Sequence, residues 1–112
     1  MPKKIVNVRA RLLEEARRQI EERGYKEMTV RSVAGSLSLG LGTLYNYFES
    51  KDMLVASFML EDWIAVLDKI KERLNSDATA AEKLRFIYDG LCEFYSEHKN
   101  LFDDPGAKKT FS

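Results

Sequence analysis

Residues 29–51 read TVRSVAGSLSLGLGTLYNYFESK. Thr29 is a side chain of the N-cap type, because its hydroxyl can accept from an amide of a helix's first turn. Val33, Ala34 and Leu37 follow at helical spacing and predict a short helix over residues 30–37 with those three on its buried edge. Ser38-Leu39-Gly40 reads as a tight turn. Leu44, Tyr45 and Phe48 then anchor a second short helix over residues 41–48. Two short helices joined by a tight turn form a helix-turn-helix. In that motif the second helix must enter a groove about 12 Å wide, so its outer face has to be small or polar. Gly42, Thr43 and Asn46 meet that demand, while Leu44 and Phe48, four apart, can point inward.

Upstream, Val8, Leu12, Ala16 and Ile20 recur every four residues with charges between them. This predicts an amphipathic helix over residues 5–23, stopped by Gly24, with Tyr25 packing back on its end. Downstream, Ser50 is a second N-cap and Asp52 suits a first helical turn. A long helix is expected over residues 51–74, with the stripe Leu60, Ile64, Leu67, Ile70 and Leu74 widened by Met53, Leu54, Phe58 and Trp63. A fifth helix is expected over residues 79–98, with Leu84, Ile87, Leu91, Phe94 and Tyr95 on one side. Pro105-Gly106 should stop any sixth helix, leaving residues 106–112 frayed. The fold class is therefore all-α: a three-helix helix-turn-helix unit over residues 1–50, followed by two longer helices within residues 51–112.

Composition narrows the function. Residues 1–51 hold ten basic against six acidic side chains, and the rest of the chain carries the opposite excess, for a net charge of zero. A basic first half suits a polyanion. Cys92 is the single cysteine, so no intramolecular disulfide forms, and it reads as a small buried hydrophobe. No secretory apolar core and no membrane-length apolar run is present, and a cytoplasmic protein is expected. No paired carboxylates, Cys–His or Ser–His constellation or phosphate-binding glycine loop stands out, so no catalysis, metal or cofactor is assigned. His98, near a helix end, reads as a partner for the helix dipole.

The blocks Gly24-Tyr25, Thr29-Val30-Arg31, Val33-Ala34, Gly42 through Phe48 and Ser50-Lys51 resemble the N-terminal DNA-binding domain of TetR-family transcriptional regulators. The resemblance covers about the first half of the chain and implies a sequence-specific repressor that occupies its operator. It assigns Arg31, Leu41, Gly42, Thr43 and Asn46 to the bases, with Leu41 limited to a thymine methyl. It assigns Thr29 (hydroxyl and backbone N–H), Tyr45, Tyr47 and Lys51 to phosphates, with Lys3 and Lys4 as a basic arm. For Arg31, an ion pair with Glu27 is the competing reading. The chain departs from the family pattern at Ser38, where Gly is usual, and at Gly40, where a capping residue is usual. A positive φ is thus expected at Ser38. The resemblance further implies a palindromic operator, a homodimer in the full-length parent, and a small apolar ligand there whose pocket is incomplete in this chain. A fragment and a natural short form both fit. The competing reading is a helical protein-interaction module that no longer binds DNA.

Overall fold

The computed structural model describes residues 7–111, with side chains through Lys109. Lys3 and Lys4 lie outside the described residues. Seven helices follow one another among them: α1 (Val8–Arg23), α2 (Val30–Ser36), α3 (Leu41–Tyr45), α4 (Lys51–Leu74), α5 (Ala80–Glu97), α6 (Lys99–Phe102) and α7 (Pro105–Phe111).

Local chemistry explains the boundaries. α1 starts later than expected because Asn7, in the left-handed region, caps it through its side chain. Gly24 at φ 88° ends it, a conformation that glycine adopts without strain. Thr29 and Ser32 cap α2 reciprocally, each backbone N–H bonding the other's hydroxyl at 2.9 Å. Ser50 accepts from the Met53 amide at the head of α4. Thr79 does the same for Glu82 in α5.

Leu12, Leu13, Ala16 and Ile20 of α1 meet Met28, Val33, Ala34, Leu44 and Phe48, and the cluster closes on Leu54, Val55 and Phe58 in the first turns of α4. It does not end there: Leu101 of α6 and Ala107 of α7 are buried in the same cluster. We call this assembly of α1–α3 and the start of α4 the head. Beyond it α4 and α5 run out as a packed pair, which gives the molecule its elongated outline of 56 × 34 × 22 Å. α5 approaches closely at Gly90, where a Cβ would lie 2.8 Å from the Ile70 side chain.

Three expectations are corrected. The buried face of α4 is Leu54, Val55, Phe58, Val66 and Ile70, whereas Leu60 and Ile64 are exposed. The helix packs against α1 and α5, and the residues it buries are the ones that meet these two neighbours and the head core. In α5 no residue is fully buried; Leu84, Leu91 and Tyr95 are open, and Cys92 is exposed rather than buried. The chain end is also more ordered than expected. Pro105 opens α7 instead of blocking a helix, because its missing N–H falls in the first turn, and the Asp104 carboxylate accepts from the Ala107 amide at 3.0 Å.

Candidate nucleic-acid interface

α3 is short, five residues, and Asn46 and Tyr47 continue past it in a turn that leads to Phe48, rather than in the eight-residue helix expected. Gly40 supplies no side-chain cap, so the helix rests on its anchors. Leu44 is completely buried and Phe48 nearly so, with the Arg9 guanidinium 5.5 Å from the Phe48 ring centre. Their burial turns the other side outward. Gly42 and Asn46 are exposed, Leu41 and Thr43 are half-buried, and Gly42 has open space where a Cβ would stand. Tyr45 and Tyr47 are each 46% exposed, and among the described residues neither hydroxyl has a hydrogen-bond partner. Arg31, on α2, is exposed and makes no ion pair with Glu27 or any other described carboxylate. The turn holds Ser38 at φ 56°, the positive value expected from its place in the motif.

Two residues assigned to phosphates are committed elsewhere. The Thr29 backbone N–H already donates to Ser32 Oγ in the cap, and its hydroxyl accepts from the Ser32 amide. What Thr29 still offers outward is its hydroxyl proton, since the cap uses that oxygen only as an acceptor and the residue is exposed. Lys51 is folded inward: its Nζ donates to the Tyr25 carbonyl at 2.6 Å and lies 4.0 Å from the Tyr25 ring centre. Burial pushes its ammonium below the ordinary lysine range, an effect partly offset by Asp104, Asp52 and Glu27. Tyr25 in turn donates its hydroxyl to Asp52 at 2.9 Å. Lys51 therefore seals the junction between the end of α1 and the start of α4.

The outer surface of α2 and α3 is that of a helix-turn-helix, with Arg31, Thr43 and Asn46 beside the half-exposed rings of Tyr45 and Tyr47. Residues 12–58 match the model of bacterial regulatory proteins, tetR family. Residues 12–58 are a tetR-family domain. The chain is similar to an HTH-type transcriptional regulator of Staphylococcus aureus (strain bovine RF122 / ET3-1), with 30% identity over 104 residues, 90% of this chain and 55% of that one. It is also similar to the fatty acid metabolism regulator protein of Bacillus subtilis (strain 168), with 31% identity over 68 residues, 61% of this chain and 35% of that one. Among solved structures it resembles the fatty acid degradation regulator of Bacillus halodurans, at a TM-score of 0.69 and 25% identity over 88% of this chain and 52% of that one. The chain thus spans about half the length of that Staphylococcus relative and of that structure.

The tetR-family domain depends on a polar cluster that the sequence did not single out. Gln19 is fully buried on α1. Its Nε2 donates to the Ser32 carbonyl, to Ser36 Oγ and to Glu15, and its Oε1 accepts from Ser32 Oγ at 2.5 Å. These bonds pin α2, and with it Arg31, to α1. The Arg18 guanidinium beside Glu15 holds that carboxyl down at about 2, with burial opposing and Gln19 and Ser36 helping. The one available sequence signal was Gln19 itself, a polar residue next to Ile20 on the apolar side of a predicted amphipathic helix.

Proposed function

We propose that the tetR-family domain reads double-stranded DNA and that the protein regulates transcription, as a repressor that occupies its operator. The observation that supports this best is the outer face of α2 and α3. It carries Arg31, Thr43, Tyr45, Asn46 and Tyr47 without internal partners for the charge or for the ring hydroxyls, while Leu44 of α3 faces the core. Arg31, Leu41, Gly42, Thr43 and Asn46 take the bases. Tyr45, Tyr47 and Thr29 take phosphates, together with Lys3 and Lys4 in the segment before residue 7. Lys51 contributes chiefly by fixing the start of α4, and its charge adds to the local field. The reading involves no catalysis and places the protein with the chromosome in the cytoplasm; no helix among the described residues is long and apolar enough to cross a membrane.

The same reading covers the open apolar faces. Leu60 and Ile64 of α4 and Leu84, Tyr88 and Leu91 of α5 are exposed. In a longer parent these surfaces are covered by further helices, which complete a homodimer and a pocket for a small apolar ligand. Relatives named as fatty acid regulators support a ligand with a long apolar body. A dimer reads two half-sites about 34–36 Å apart, hence a palindrome.

The test is selection of bound duplexes from a random pool, followed by binding at increasing salt. Affinity is expected to fall steeply with salt, and Asn46→Ala to change the preferred base without changing the salt slope. Failure to bind any duplex at low salt would instead favour a protein-interaction module.

A further inference from the structure

We propose that His98 is a proton-operated latch that fastens α6 and α7 to the head. His98 sits where α5 ends and α6 begins, and only 5% of it is exposed. Both ring nitrogens face acceptors. Nδ1 lies 2.7 Å from the Phe94 carbonyl and Nε2 lies 2.7 Å from Asp62 Oδ2. A carbonyl can only accept, so Nδ1 carries a proton. Asp62 accepts from Arg17 through its other oxygen at 2.5 Å, so this carboxylate is an acceptor on both sides. Nε2 must then donate as well. A ring that donates from both nitrogens is an imidazolium.

The surroundings favour that charge. The ring stacks with Phe58 at 6.4 Å and tilts against Phe94 at 4.4 Å, two π faces that attract a cation. An open polar cleft of about 350 Å³ adjoins it, lined by Arg17 and Glu21 of α1, Asp62 of α4, Glu97 of α5 and His98 itself. Three carboxylates there face one guanidinium, so a positive ring brings the cleft closer to neutrality, while burial and Arg17 oppose it. When the ring loses its proton, an Nε2 lone pair faces a carboxylate oxygen at hydrogen-bond distance. The bond becomes a repulsion, and the link from α4 to the start of α6 opens. Three residues further on, Leu101 is seated in the head core, followed by Ala107 on α7. The latch is therefore closed while both ring nitrogens carry protons and loosens when Nε2 loses its own, so it tightens with acid and loosens with base.

His98 is the only histidine in the chain, so its titration is read without ambiguity. The experiment follows the His98 ring nitrogens by NMR on the full chain between about pH 5 and about pH 8. In parallel it measures exchange protection of the Leu101 and Ala107 amides, corrected for the intrinsic pH dependence of exchange. We expect protection to fall about tenfold across the range, with a midpoint that coincides with the ring titration. His98→Gln and Asp62→Asn should each flatten the profile, and Glu61→Gln, which removes only the exposed pair with Arg9, should leave it intact. A flat profile while His98 titrates overturns the latch, and so does a ring that stays in one charge state throughout. Should both flattening variants fail to fold, the wild-type titration decides alone. DNA binding enters neither readout, so the latch and the proposed function stand or fall separately.

Discussion

At the scale of single residues, the polar groups inside the head are what sequence reasoning reads least well. Thr29 and Ser50 were legible as caps, and Leu44 and Phe48 as anchors, because each role depends on neighbours within four residues. Gln19 was not, since its partners Ser32 and Ser36 lie 13 and 17 residues away and meet it only once α2 has docked. The inward turn of Lys51 was hidden for the same reason: its acceptor, the Tyr25 carbonyl, lies 26 residues back. Glu15 offers a way to measure the cluster. Its carboxyl is depressed in the folded chain to about 2, so its stabilising effect is fully present above the ordinary glutamate value of about 4.3 and is lost as pH falls through about 2. Because Arg18 is half exposed, screening holds that effect to about 1 kcal/mol. Urea unfolding should show Glu15→Gln less stable than wild type by that amount at pH 7. Near pH 2 the two should converge, and a gap that persists there would assign the loss to packing instead.

At the scale of elements, periodicity located the helices but not the faces they bury. Residues 51–74 were legible as one helix to the residue. Which stripe of it is covered depends on where α1 and α5 lie, and a helix with apolar residues on several sides gives no local clue. The close approach of α5 through Gly90 has the same origin, since the reason for the glycine is Ile70 on another helix. The turn between α2 and α3 is the opposite case. Its departure from the family pattern was visible at Ser38, and the backbone there is left-handed at φ 56°. A non-glycine residue in that region costs on the order of 1 kcal/mol, part of which glycine loses again to its greater freedom when unfolded. Ser38→Gly is therefore expected to raise the unfolding free energy by about 0.5 kcal/mol. Equilibrium denaturation checks this, and a loss of stability would show that the serine side chain supports the turn in a way its backbone angles do not reveal.

At the scale of the whole molecule, the head is closed by residues of α6 and α7, well beyond the residues that match the family model. Leu101 and Ala107 join the cluster built by α1–α4, and α6 and α7 were the elements least legible in advance. Pro105-Gly106 looked like a terminator because its helix-starting role depends on Asp104, whose carboxylate caps the turn. Leu101→Ala should thus destabilise the head itself, by about 2–4 kcal/mol for a buried leucine, although it lies outside the residues that match the family model. Thermal unfolding followed through Tyr25, whose ring packs inside the head, would report it. An unchanged transition would mean that the head is self-sufficient. This closure also sets an order of events during synthesis. At ribosomal speeds of about 5–20 residues per second, the helix-turn-helix leaves the ribosome seconds before Leu101 and Ala107 do. In that interval the nascent head has an open flank beside Ile20 and Phe58, which is covered only once α6 and α7 have emerged.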